Sequence, residues 1–546
     1  FWLKQPWHSR EALRVTTLWR PIMPPWVRLA AALFVLVLAN EEGHGTGEAA
    51  HGHEEVVEDG GGTHEAAASH EATASHGASH EAAEEGSEHG HHAEAGKPNN
   101  TNLAVSAMLL GCVVLNMSLF YLVNHHDKDI KHNSWAVISS TIAIFVAVLV
   151  FNGMQGVVDG MIETWVRPSV PPAVEAQVLI WLRYLQFVLW YAVMYLTLVK
   201  QAKDRSSHEV DLPPNTSPDF DTQQKMTCWA TLFAHMAGFA AMSGGSALQA
   251  HGMFSEAPIL SFVPVLLTAV LEFLMFQLVD KVLQVSCKDL PPTVMKLVDE
   301  YGDEAENEIG GLSLSFLTVH ALTFGVTGKL PSHGGGGGHH GPPPVQPVIH
   351  TLALCFIALV CVALTSAMVY LSSKVPTHAP KLGWRWFLIG QTVVAMCFAW
   401  CLLRAFEWEV SRFLQQGIHA GGVILNPHTT IQRVLLALSV SMVSIAMIFG
   451  LDYLHDLDAT GDMADTAIKK VIMAIGILIG FSWEEAFNAG IHAFAELAGS
   501  YWGTIFLKFV LGLTVAVVVV PAWRLHILRN VLLLGEHSGH HGHHGH

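Results

Sequence analysis

The stretch 348–371, VIHTLALCFIALVCVALTSAMVYL, runs through 24 residues without an Asp, Glu, Lys or Arg. About 20 consecutive apolar residues are what a helix needs to cross the hydrocarbon core of a bilayer. In that core every backbone polar group must be bonded within its own segment, so the stretch predicts a membrane-spanning helix. Similar stretches lie on both sides of it, cut by short charged loops, from Leu103 to Arg529. The predicted spans are 103–124, 136–158, 178–199, 228–250, 259–281, 309–328, 348–371, 386–408, 431–453, 471–492 and 503–525. The chain therefore reads as all-α, a polytopic helical transmembrane bundle of about 11 spans whose first partner is the lipid bilayer.

Composition agrees. Hydrophobic residues make up 51% of the chain and charged residues 14%, against about 25% charged in soluble domains. The formal charge of −17 is local: 14 acidic residues fall between Glu41 and Glu94, where there is no Lys or Arg, and the remainder carries only −3. Nothing in that balance points to nucleic acid.

The N-terminal residues carry processing signals. The chain opens on Phe1 and its first Met is Met23, so 1–22 are expected to be translated upstream sequence. Residues 23–39 combine Arg28, an 11-residue apolar run from Leu29 and a Val37-Leu38-Ala39 end, the pattern of a cleaved signal peptide. Residues 40–102 then form an acidic, His-rich external tail, 103–530 the helical domain, and 531–546 a His/Gly-rich cytosolic tail. With the N-terminus outside, the cytosolic loops hold sixteen Lys and Arg and the external loops after the first span hold four. This is the positive-inside bias of an integral protein of the secretory, endomembrane or plasma membrane. It also supports the weakest span, 309–328: without that crossing Lys374, Lys381 and Arg385 would fall outside.

Histidine dominates the low-complexity segments. Ten of the 34 His lie between His44 and His92 and six between His537 and His546. The 41–96 segment is built of Gly, Ala, Glu and His, which bury too little apolar surface to offset ordering entropy, so disorder is expected. Neutral imidazole binds zinc or copper, so His64, His70, His76, His80, His91 and His92 are candidate metal-capturing groups. The competing reading is a solvated acidic tail that only buffers. Residues 333–344 (HGGGGGHHGPPP) form a further external loop. Six of the seven Cys lie in spans and Cys287 lies in a cytosolic loop, so no external disulfide is expected.

The residues that carry information about function are ionisable groups inside predicted spans: Arg183, His235, Glu272, His320, Arg404, Glu407, Glu484, Glu485 and Lys508. Such groups are costly in hydrocarbon and mark a pathway, a relay or a paired contact between helices. Glu484, Glu485, Arg404, Glu407, Arg183 and Lys508 fall in the outer halves of their spans, and Glu272 and the two His lie deeper. The short link through Ala498 and Gly499 makes the last two spans antiparallel neighbours, so one of the adjacent carboxylates is expected to meet Lys508. Phe398-Ala399-Trp400 and Phe481-Ser482-Trp483, like His235-x-x-x-Phe239 and His320-x-x-x-Phe324, hint at a repeated architecture of the kind transporters use. Gly156-x-x-x-Gly160 and Gly476-x-x-x-Gly480 predict close helix contacts.

Between the ninth and tenth spans, Asp456, Asp458, Thr460, Gly461 and Asp462 are spaced as in the first half of an EF-hand calcium loop. Ala467 stands where the bidentate carboxylate belongs, which favours a capped acidic turn over a calcium site. There is no Walker A sequence to drive transport with ATP and no span with Arg at every third position. A signal peptide followed by a His-rich external tail is similar to the layout of ZIP-type zinc transporters. No span carries their paired His motif, such as His-Glu-x-x-His, so the chain is not assigned to that family.

The functional expectation is a multi-pass transporter or channel for a small ion or solute, with proton coupling as one mode. The alternatives are a divalent zinc- or copper-type transporter fed by the tail, and a non-transporting intramembrane enzyme or scaffold. No nucleophile–base arrangement favours the enzyme.

Overall fold

The computed structural model describes residues 100–208, 220–286, 291–331, 346–374, 381–417, 430–455 and 462–539. The signal peptide, the His-rich tail with its six candidate ligands, the 333–344 loop and Asp456, Asp458 and Thr460 lie outside the described residues. The described residues are all-helical. In order they form α1 (Asn100–Val123), α2 (Lys128–Met161, continued by a π turn Ile162–Val166), α3 (Pro172–His208), α4 (Phe220–Gln249) and α5 (Phe262–Ser286). Then come α6 (Pro292–Thr327), α7 (Val348–Ser372), α8 (Lys381–Gly417), α9 (Thr430–His455), α10 (Asp462–Ala495), α11 (Tyr501–Ala522, continued by a π turn Trp523–Leu528) and α12 (Arg529–Gly539).

Local chemistry sets the ends. Asp127 accepts from the Asp129 N–H at 2.8 Å to start α2, and Ser500 accepts from the Gly503 N–H at 3.1 Å to start α11. Gly328, at φ +69, closes α6.

Among the described residues eight helices are long and apolar enough to cross a membrane: α2, α3, α5, α6, α7, α8, α9 and α11. In α4, apolarity is diluted by His235 and by Gly, Ser and Thr. One boundary departs widely from expectation. The apolar pattern predicts the sixth span at 309–328, but α6 begins at Pro292. Its first half carries six acidic residues between Asp299 and Glu308, which lower any window average. Between them Val294, Leu297, Val298, Tyr301, Ala305 and Ile309 form a buried stripe at helical spacing.

The helices sort into two layers. About the most apolar windows of α6, α2 and α8, 72%, 61% and 56% is buried, against 17 to 39% for α3, α5, α7, α9 and α11. The outer helices expose large apolar side chains such as Leu185 and Leu196, Leu266 and Leu274, Phe356 and Leu359, and Phe506 and Val517. That is the surface a lipid solvent requires.

The inner helices α2, α4, α6, α8 and α10 pack in a closed ring, α2 on α4, α4 on α6, α6 on α8, α8 on α10 and α10 back on α2. All five run in the same direction, because contacts advance together along each pair. Gly238 faces Leu312 and Gly245 faces Leu317 across α4 and α6. Asn307 meets Thr392 and Ser315 meets Trp400 across α6 and α8. Thr141 meets Gly476 and Asn152 meets Glu484 across α2 and α10.

The Gly476-x-x-x-Gly480 pair closes this last seam. A Cβ on Gly480 would stand 3.2 Å from the Thr141 Cα, and one on Gly476 3.3 Å from the Val137 Cα. Gly156 and Gly160 sit instead against Ile505 and Trp502 of α11, which packs on the outside of α2. Gly480→Ala should therefore cost about 1–3 kcal/mol by overpacking a backbone contact. Gly490→Ala, where nothing lies within 4 Å, should hold or slightly raise stability. Thermal unfolding of the two variants in detergent compares them, and equal melting temperatures would show that the Gly480 contact does not constrain the α2–α10 seam.

Candidate functional site

Aromatic side chains fill the axis of the ring. Phe151 of α2 lies 6.1 Å from Phe239 of α4, Phe239 lies 5.5 Å from Phe481 of α10, and Phe481 lies 4.4 Å from Trp400 of α8. Trp400 in turn lies 5.0 Å from Phe316 of α6. Each inner helix thus supplies one member. α4 and α10 are separated in the ring by α2, so the Phe239–Phe481 contact reaches across the interior. Trp400 is held in place by donating its Nε1–H to the Ser315 hydroxyl at 3.0 Å. The two Phe-x-Trp motifs are not equivalent in this belt: Trp400 of one meets Phe481 of the other. Trp483 turns outward and donates to Ser441 of α9 at 2.9 Å.

Polar groups follow on the C-terminal side, four residues past each belt aromatic: Gln155, Ser243, His320, Arg404 and Glu485. Four residues is about one helical turn, so these groups form the next layer along the same faces. Around Arg404 and Glu485 the sequence-predicted residues gather. Arg404 pairs with Glu407 at 2.7 Å. Glu485 is half-buried, with Glu407, Arg433 and Arg404 as its charged neighbours. Glu484 is buried and accepts from the Asn152 amide at 3.2 Å. Counted as ionised groups, Arg404 and Arg433 face Glu407, Glu484 and Glu485, a net charge of −1.

Across the same end of the ring, Arg183 of α3 pairs with Asp159 at 3.2 Å and bonds to Ser243. Gln155, with its amide oxygen turned to the guanidinium, accepts from Arg183 at 2.8 Å. His320 stacks on Phe316 and bonds to Gln249 at 3.1 Å. The Gln249 amide donates to the Ser261 and Leu317 carbonyls, so this contact ties α4 to α6.

Three sequence-predicted residues fall elsewhere. Glu272 is fully buried between α5 and α6, and one of its oxygens accepts from Ser313 at 2.5 Å. Its other oxygen has no hydrogen-bond partner and lies 3.6 Å from where a Cβ on Gly310 would stand. His235 is buried one turn before Phe239, its Nδ1 without a partner. Lys508 does not meet Glu484 or Glu485, contrary to expectation; its charged neighbour is Glu496. The reason is packing: α11 sits against α2 through Ile505, Phe509 and Gly512, outside the ring that holds the carboxylates.

The N-terminal end of the ring holds a cluster that hydropathy concealed. Glu306, fully buried on α6, accepts from the Tyr191 and Tyr195 hydroxyls of α3 at 2.5 Å each. Arg385 of α8 pairs with Glu306, with Asp303 at 2.9 Å and with Asp280 of α5 at 3.2 Å. Its guanidinium also lies 5.8 Å from the centre of the Phe276 ring. Four helices meet at this one cation. On the opposite face of α6, Glu304 and Glu308 border a narrow recess with Thr227, Ala230 and Thr231 of α4.

Sequence reasoning missed these groups because Glu306, Arg385, Asp159 and Arg433 lie just past, or at the extreme end of, their apolar windows. The dense acidic run 299–308, combined with the apolar stripe beneath it, was the available signal.

Among the described residues no group of three or more His, Cys, Asp or Glu is placed to hold a metal ion. The bundle thus belongs to the class of all-helical proteins with apolar helices compatible with a membrane. No protein family, curated protein or solved structure matches the chain.

Proposed function

We propose that this chain is a multi-pass membrane transporter or channel that moves a small ion or solute along the axis of the inner ring. In this reading all eleven long helices cross the bilayer, including α1, α4 and α10. The loop charges set the C-terminal ends of the inner helices outside and their N-terminal ends in the cytosol. The observation that carries the reading is the grouping of Arg404, Glu407, Arg433, Glu484 and Glu485 at one end of a closed ring of parallel helices. Ionisable groups are costly in hydrocarbon and are tolerated where they line a hydrated cavity or pair. Here carboxylates outnumber guanidinium groups by one, and Glu485 retains solvent access. That balance favours a cation, or a proton taken up by a carboxylate.

The test is flux into liposomes carrying the purified protein, followed with an internal pH dye for protons and with thallium for monovalent cations. Uptake above that of empty liposomes is expected for at least one of the two. No uptake of either, under any imposed pH gradient, would remove the proton and monovalent-cation reading, and no uptake of zinc or copper in the same liposomes would remove cation transport in favour of a scaffold or enzyme.

Topology has its own check. A tag after Glu94 should be reachable from outside or from the lumen, and a tag after His546 from the cytosol. Both tags on one side would exclude an odd number of crossings.

A further inference from the structure

The pathway proposed above needs a barrier, and the ring places one at a defined level. We propose that Phe151, Phe239, Phe316, Trp400 and Phe481 form the closed gate of the pathway, and that ions pass only when this belt opens. The inference rests on the transport reading and adds to it the residues that control passage.

Three observations converge. First, the belt residues form one continuous chain of ring contacts from Phe151 to Phe316. Every inner helix contributes one aromatic side chain, and four of the five are at most 7% exposed. The contact of Phe239 with Phe481 crosses the interior between helices that are not neighbours in the ring. An apolar constriction of this kind blocks ions by excluding water, without any charged plug.

Second, the belt separates two polar regions. One turn beyond it come Gln155, Ser243, His320, Arg404 and Glu485. On the other side His235 lies one turn before Phe239, Thr231 two turns before it, and Glu308 two turns before Phe316. Glu304 and Glu308 are displaced by roughly half a turn from Glu306. Glu306 points to the outer layer of α3 and α5, so Glu304 and Glu308 face the other way, with the stripe that carries Gly311 and Ser315.

Third, Glu304 and Glu308 line a crevice with Thr227, Ala230 and Thr231 of α4, on the N-terminal side of Phe316 and Phe239 in those two helices. Along the inner helices acidic groups, an apolar level and a second charged level thus follow one another, the order a closed pathway requires.

The competing account is an ordinary aromatic core that contributes only packing. Phe276 provides the comparison. It is fully buried and makes ring contacts at 5.5 Å to Tyr191 and 5.9 Å to Trp386, but it lies in the outer layer, off the axis. In liposomes, Phe481→Ala and Phe239→Ala should raise thallium or proton leak on the order of tenfold by wetting the constriction. Phe276→Ala should leave leak at the parent level. Unchanged leak from folded belt variants, or equal leak from Phe276→Ala, would overturn the proposal.

Cysteine accessibility in an intact belt decides the matter if the alanine variants do not fold. Ser243→Cys should react with a membrane-impermeant thiol reagent only from outside, and Thr231→Cys only from the cytosolic side, each read by mass spectrometry of the labelled peptide. Any other pattern, including no labelling, overturns the belt as the divider. A parent protein that moves neither protons nor thallium would defeat the proton and monovalent-cation form of the transport reading. The labelling pattern would still report whether the belt separates two accessible compartments.

Discussion

Arg385→Gln is expected to lower stability by about 3–5 kcal/mol, the cost of leaving a buried carboxylate without its cation. Glu306 is fully buried, and its hydrogen bonds from Tyr191 and Tyr195 do not neutralise it. The same guanidinium holds Asp280 and Asp303, so its loss also releases α5 and the start of α6 from α8. Thermal unfolding and the monodisperse fraction in detergent measure the effect. Asp303→Asn should change stability by less than about 1 kcal/mol, because that carboxylate is 61% exposed. The double variant Arg385→Gln with Glu306→Gln should recover much of the loss, since a neutral amide still accepts from the two tyrosines. An Arg385→Gln protein as stable as the parent would show that the cluster does not anchor the four helices.

Glu485→Gln is expected to cut flux at least about tenfold, the equivalent of ~1.4 kcal/mol, while leaving the melting temperature close to that of the parent. Glu485 sits half-buried among Arg404, Arg433 and Glu407, so removing its charge changes the local balance from −1 to neutral. Glu484→Gln should do less, because the buried side chain keeps an oxygen to accept from Asn152. The adjacent carboxylates thus separate by environment. Neither variant strands Lys508, whose charged neighbour is Glu496. Equal flux from both variants and the parent would reduce this cluster to a structural network.

Much of the architecture was legible before any tertiary information. Each predicted span lies largely within one helix, because apolar runs of membrane length have no alternative way to satisfy their backbone. Four of the nine ionisable candidates, Arg404, Glu407, Glu484 and Glu485, do gather at one site. The remaining partners were hidden for a definite reason. Arg433, Asp159, Glu306 and Arg385 sit at or beyond the ends of apolar windows, and a window average cannot separate a solvated loop charge from one buried by a neighbouring helix. The π continuations of α2 and α11 and the early start of α6 lengthen helices past those windows in the same way.

The sequence by itself determined the class of the molecule: an all-helical chain with apolar helices, their order, and the loop charges from which an orientation is argued. Those properties follow from each segment's own transfer from water to hydrocarbon and need no partner. The tertiary structure alone decided which helices are inner. It also decided that five of them close into a parallel ring, that one aromatic side chain from each meets on the axis, and that Lys508 stays outside. Lateral packing is a choice among surfaces that are all apolar. Small contacts such as Gly480 against Thr141 select among them, and their energies depend on which residues from distant parts of the chain come to face each other.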